Sequence, residues 1–212
     1  PISTGYRGFD VWEIPPNGSG MIALQALGML ERMGEEGRDP VETLHRRIEA
    51  TKLGYVDGLR YITEADAMGP SVEQMLAGDY LKARASLIGD TALDPVHGNP
   101  IMGGTVYLAT ADADGNMVSF IQSNFKGFGS GIVVPGTGIS LQNRGWSFKL
   151  DPEHANALAP GKRTYHTIIP GFITRDGQAV GPFGVMGGFM QPQGHVQVIT
   201  GMLDDALNPQ AA

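Results

Sequence analysis

Apolar and polar positions follow two periods along this chain, and the change falls near residue 105. Through the first hundred residues the spacing is mostly helical. Met21, Ala23, Leu24, Leu27 and Leu30 recur along GMIALQALGMLERM, with Ser19 placed to cap the start and Gly34 to stop the helix. Asp39-Pro40-Val41-Glu42 combines a cap, a proline at the first helical position and an acid in the first turn. The helix it opens is expected to run to about Tyr55 and to bury Val41, Leu44, Ile48 and Leu53. Ser71-Val72-Glu73-Gln74 fits a capping box for a short helix, and Asp79 can cap another through Ile88. Residues 89–102, GDTALDPVHGNPIM, have no period. Their prolines and glycines predict an exposed connection of the kind that is easily processed.

From Thr105 the period is two. Val106, Leu108 and Thr110 share one face, Tyr107 and Ala109 the other, until Asp114-Gly115 turns the chain into MVSFIQSNF. A second hairpin is predicted within residues 166–185, turning at Asp176-Gly177, and a helix within 195–207. Helices, a connection, antiparallel strands and a last helix make an α+β chain. Its region 1–104 reads as mainly helical and its region 105–212 as mainly stranded.

Composition narrows the picture. With 42% apolar and 17% charged residues the chain is that of a soluble globular protein, and 212 residues hold one sizeable core. No apolar run reaches the roughly 18 residues that span a bilayer, and PISTGYRGFD is not a signal peptide, so no membrane partner is expected and the cytoplasm is favoured over the periplasm. A net charge of −7 disfavours nucleic acid, which needs clustered Lys and Arg. The lack of cysteine removes disulfides, thiolate nucleophiles and Cys-ligated zinc. The histidines have no HxH or HExxH spacing, so neither a metal nor another cofactor is expected. Glycines crowd into 127–138 and 181–194 among β-branched and aromatic residues, which predicts tight turns with close backbone approach. GFGSG at 127–131 resembles a dinucleotide-binding loop, but it precedes a strand and has no βαβ context. Glu35, Glu36 and Arg38 read as a solvated helix end, and Met21, Met29 and Met33 as core.

The stretch GGTVYLATADADGN, residues 103–116, admits two readings. In one, a loop ends and a hairpin begins. In the other, the Gly104–Thr105 bond is cut and Thr105 becomes an amino terminus. A threonine hydroxyl is hard to deprotonate at neutral pH and needs an adjacent base. An α-amino group, with a pKa near ~7.7–8, can be that base on the same residue, but only after scission.

Read together, GGTVYLATADADGN, FGSGIVVPGTGISLQN, LAPGKR and FGVMGGFMQPQGH occur in an order and at spacings that resemble the small subunit of the γ-glutamyltranspeptidase family. Upstream, YRGFDVWEIPPNGSG and HRRIEATKLGYVDGLRYI look like the end of that family's large subunit, so the resemblance covers nearly the whole chain. The family consists of N-terminal nucleophile hydrolases made as self-cleaving precursors, with a four-layer αββα sandwich. The resemblance implies that Thr105 is the catalytic nucleophile, freed by cleavage at Gly104–Thr105. It implies that Gly187 and Gly188 supply the oxyanion hole, and that Ser123 is a hydroxyl supporting the nucleophile. A Gly-Gly turn entering a helix points backbone donors at one spot, which suits that role.

The departures from the family bear on substrate. Where its members read like NNxMDDF, with an acid that holds an α-amino group, this chain has QNRGWSF, residues 142–148, and brings in Arg144 and Trp146. His166 and Thr167 stand in place of paired serines, and Phe125 in place of an asparagine, although Asn124 is adjacent. Each buried partner left unpaired costs about 1–3 kcal/mol, so a γ-glutamyl zwitterion loses much of its grip. Arg144 suits a carboxylate, which favours a small carboxylate-bearing amide, as in the oxamate amidohydrolase-like branch. The expected substrate-binding set is Arg144, Asn124, His166, Thr167 and Trp146, while Tyr107 is expected to pack. Two alternatives stay open: γ-glutamyl transfer from glutathione-like substrates, and a truncated, non-catalytic precursor fragment that folds by association. The resemblance starts partway through the large subunit, so association with a missing large-subunit segment or with another copy is expected.

Overall fold

The computed structural model describes residues 1–34, 39–94 and 104–212. The predicted helix end at 35–38 and most of the 89–102 connection, with Gly103, lie outside the described residues. The chain opens on two strands that its periodicity did not predict, β1 (Ile2–Tyr6) and β2 (Phe9–Glu13). Arg7 and Gly8, both at positive φ, form the tight turn between them. The signal was there in ISTGY-RG-FDVWE: short alternating runs either side of an x-Gly pair.

Helix α1 (Gly20–Met33) has the predicted bounds and ends at Gly34 with φ +63°. Its surroundings differ from those of an amphipathic helix, because it is buried over all but its last turn. Ser19 precedes it, but the Ser19 hydroxyl makes no capping bond. Helix α2 (Pro40–Tyr61) starts as read, with Asp39 accepting from the amides of Val41 and Glu42, and runs six residues past Tyr55. Its buried face is not the predicted one. Val41, Leu44 and Ile48 are exposed, and Leu53 is buried beside Ala50, Gly54 and Gly58. The reason is close helix packing: a Cβ at Gly54 would stand 2.8 Å from the Ile22 carbonyl oxygen, so α1 can approach only along the glycine side. Ser71 and Gln74 form the expected capping box on α3 (Val72–Met75). Helix α4 (Gly78–Ala85) starts one residue before Asp79, its flanking residue being Ala77, and stops three short of Ile88.

From residue 104 onward come β3 (Gly104–Ala111) and β4 (Met117–Phe125), an antiparallel pair. A glycine-rich segment with little regular structure follows, then β5 (Gly171–Arg175), β6 (Gln178–Phe183) and α5 (Gln191–Leu203). The last helix begins four residues earlier than the sequence pattern placed it. Strands β1-β2-β5-β6 form one antiparallel sheet, so strands from both ends of the chain share it. Helix α1 packs on that sheet and joins it to α2, α4 and α5 around a core that includes Tyr6, Val11, Leu24, Leu27, Ile173 and Ile199. The fold is α+β. The β3–β4 hairpin stands apart as its own two-stranded sheet, with β4 beside β6. Val106, Leu108, Val118 and Phe120 lie on one of its faces and are all about half-exposed.

Candidate active site

Thr105 sits at the head of β3, where the ladder is irregular. Gly104 pairs with Phe125 and Thr105 with Ser123, so Asn124 is an extra residue opposite the Gly104–Thr105 bond. Bulges of this kind re-aim side chains at functional sites. Just beyond it Phe125 adopts φ +76°, a left-handed backbone that a bulky side chain rarely takes, while its ring is buried. The Thr105 hydroxyl donates to Ser123 Oγ at 3.2 Å, and Ser123 Oγ also accepts the Phe125 amide at 2.9 Å. Ser123 therefore holds the Thr105 rotamer and secures the bulge at once. Asn124 does not join them. Its Cβ stands 3.1 Å from where a Gly129 Cβ would be, on the opposite side of the strand, and Gly129 itself is left-handed and tight against the Leu141 carbonyl.

The Phe125 ring gathers the remaining site residues. It lies 6.2 Å from Trp146, 6.2 Å edge-on from Phe189, and 5.1 Å from the Arg144 guanidinium carbon. Phe189 follows Gly188 directly and stacks on Tyr165 at 5.6 Å; the Tyr55 hydroxyl donates to its carbonyl. Sequence reasoning missed Phe125, Phe189 and Tyr165 as a group, since residues 40 and 24 positions apart reveal no common surface. Lys126 caps the outer face of the half-exposed Trp146, 3.1 Å above the ring.

Arg144 is 3% exposed, in a 3₁₀ turn spanning Arg144–Ser147. One terminal nitrogen donates to Thr167 Oγ1 at 2.8 Å. Its Nε and other terminal nitrogen have no partner among the described residues. Burial lowers its pKa from 12.5 to about 10, well above neutrality, so the group is a buried cation with two donors to spare. His166 is adjacent and is held neutral: burial first, then the Arg144 charge, lower its pKa to about 4, against a weaker opposing bond from the Ile168 amide. A neutral imidazole adds no charge of its own beside Arg144.

Gly187 and Gly188 form the turn into α5, with φ +130° and +61°. The backbone bonds of the turn, Met190 N to Gly187 O at 3.1 Å and Gln191 N to Gly188 O, use the carbonyls of the glycine pair and not its amides. Tyr107 packs as expected, its ring against Gly184 and its hydroxyl bonded to Ser119 at 3.0 Å. A continuous set of contacts thus joins Thr105, Ser123, Phe125, Arg144, Thr167 and Phe189.

Along its whole length the chain is similar to known proteins. The family model described as Gamma-glutamyltranspeptidase matches residues 1–212. The glutathione hydrolase-like YwrD proenzyme of Bacillus subtilis is 40% identical, over 100% of this chain and 41% of its own length. The oxamate amidohydrolase proenzyme of Klebsiella pneumoniae is 37% identical over 94% of this chain and 38% of its own. Among solved structures, cephalosporin acylase from Bacillus halodurans has a TM-score of 0.91 and 61% identity, covering 99% of this chain and 38% of that one. The chain therefore spans about two fifths of the length of the relatives it matches.

Proposed function

The chain belongs to the gamma-glutamyltranspeptidase family, and from that premise we propose that it is the nucleophile-bearing part of an amide hydrolase whose substrate carries a carboxylate. The observation that carries this reading is the buried Arg144, with two unpartnered donors, joined through Phe125 and Ser123 to the Thr105 hydroxyl. In the maturation step, Thr105 Oγ1 attacks the Gly104 carbonyl carbon, the peptide C–N bond breaks, and water hydrolyses the resulting ester. The products are a Gly104 carboxylate and a Thr105 amine.

In turnover that amine takes the proton of Oγ1 as the oxygen attacks the substrate amide. The amides of Gly187 and Gly188 receive the negative charge of the tetrahedral intermediate. The protonated amine then gives its proton to the leaving nitrogen, and water cleaves the Thr105 ester to release the acid. Arg144, steadied by Thr167, takes the substrate carboxylate as a charge-assisted pair. The ring wall of Phe125 and Trp146 excludes water from that pair. A substrate α-amine finds no acid among the described residues beside Arg144, which disfavours the γ-glutamyl alternative.

The half-exposed apolar face of Val106, Leu108, Val118 and Phe120 supports a further reading. A second layer, from a large-subunit segment or another copy, covers this face in the four-layer αββα assembly.

Mass spectrometry and kinetics test the proposal together. Cleavage before Thr105 is expected, and Thr105→Ala should abolish both it and hydrolysis of oxamate. Turnover of γ-glutamyl anilide should be slower than that of oxamate. Unchanged hydrolysis in Thr105→Ala would remove Thr105 from the chemistry.

A further inference from the structure

Glu13 and His195 form a fully buried pair that the reaction above does not use. Glu13 closes β2, and its Oε1 lies 2.5 Å from His195 Nδ1 on α5; both side chains are 0% exposed. Glu13 Oε2 and His195 Nε2 have no partner among the described residues. A buried ionisable pair with outer atoms unmet is a cost to the fold, because polar atoms away from water are destabilising unless bonded. Packing alone would be served better by apolar side chains, so the value of the pair lies in its position.

The pair sits at the base of the loop that carries the glycine turn. Leaving β6 at Phe183, the chain passes Gly184, Gly187 and Gly188 and re-enters α5. The rings of Phe183 and His195 meet at 4.7 Å and close that loop at its neck. On the outgoing stem, Gly184 lies under the Tyr107 ring; a Cβ there would be 2.5 Å from it. Tyr107 is two residues beyond Thr105 on the same strand, and so on the same face. It also feels the charge of Glu13. Glu13 itself is pressed against the first residue of α1, its Oε2 2.7 Å from where a Gly20 Cβ would stand. One carboxylate thus ties the loop neck to the start of α1 and faces the strand headed by Thr105.

We propose that Glu13 and His195 are positioning residues that hold the Gly187–Gly188 amides in register with the Thr105 hydroxyl. This rests on the reading of those amides as the oxyanion donors. Misplacing oxyanion donors harms the transition state more than the bound substrate, so the effect falls on kcat. The load is borne by the Nδ1 hydrogen bond and not by the ring volume.

Two substitutions separate these possibilities. His195→Asn places an amide nitrogen near the Nδ1 position and keeps a donor to Glu13, though it is much smaller. His195→Gln is nearer the ring in volume but carries its amide toward the Nε2 position. With oxamate as probe, His195→Gln should lower kcat at least tenfold with KM within about twofold, and His195→Asn should stay within about threefold of the parent. Equal loss in both, or loss only in the smaller Asn variant, would overturn the proposal. Hydrogen exchange at the amides of Met190 and Gln191, which bond back to the carbonyls of the glycine pair, followed by mass spectrometry, needs no turnover. It should quicken at least tenfold in His195→Gln and in Glu13→Met, which removes the acceptor, and not in His195→Asn. Unchanged exchange in the first two overturns the positioning role. If the parent hydrolyses no amide, the functional reading fails separately, and exchange still decides the structural one. If both His195 variants fail to fold, Glu13→Met alone carries the exchange test.

Discussion

Replacing Arg144 with methionine should raise stability while weakening the binding of carboxylate-bearing amides. The guanidinium is buried, with one bond to Thr167 and two nitrogens unmet. Burial lowers its pKa from 12.5 to about 10, and at about 1.4 kcal/mol per pKa step that gap is roughly 3 kcal/mol of charge-burial cost. Losing the Thr167 bond removes about 1 kcal/mol of stability, and a methionine keeps part of the contact with Phe125. The net gain is about 2 kcal/mol, which in a chain of this size raises Tm by roughly 4–8 °C. Against this, charged hydrogen bonds contribute about 1.5–3 kcal/mol each, so loss of two should lower kcat/KM for oxamate by about 10²–10⁴-fold. A neutral amide should change by less than about threefold. Thermal melts and paired steady-state assays read both effects. A lower Tm, or an equal loss on charged and neutral amides, would refute the reasoning, since Arg144 would then be a satisfied structural cation.

Three further predictions follow from single contacts. Ser123→Ala removes the acceptor that fixes the Thr105 rotamer; kcat should fall about 5–30-fold, equivalent to roughly 1–2 kcal/mol, with KM nearly constant, and a KM-only effect in the assay would count against this role. His166, with its pKa lowered to about 4, favours the folded state fully above about pH 6.5, where the unfolded histidine is also neutral; that contribution is lost as pH falls from there toward 4. His166→Gln should therefore flatten the drop in Tm between pH 7 and 4.5, and an identical drop in parent and variant would contradict a neutral His166. Gly54→Ala drives a Cβ against the Ile22 carbonyl; overpacking of about 1–3 kcal/mol should outweigh the ~1 kcal/mol gain in helix propensity, so Tm should fall, and a rise would show that α1 and α2 can part.

What the sequence determined by itself was local or carried in linear motifs. The Asp39 cap, the Ser71–Gln74 box, the Asp114-Gly115 and Asp176-Gly177 turns and the alternation from Thr105 each need only neighbours in the chain, and each forms. The family resemblance, held in four ordered motifs, is linear in the same way, and the family match over residues 1–212 bears it out. Tertiary structure decided whatever depends on which surfaces meet. Val41, Leu44 and Ile48 have helical spacing and yet stay exposed, because Gly54 and Gly58 let α1 approach on another side of α2. The first strands escaped notice because five residues give periodicity little to average over, and β2 is secured by pairing with β5, about 160 residues away. Likewise Phe125, Arg144 and Phe189 become one site only when β4, the 3₁₀ turn and the head of α5 converge, and Glu13 meets His195 across 182 positions. Periodicity encodes which side of an element is apolar; it carries no term for the distance at which two elements pack, and that distance assembles this site.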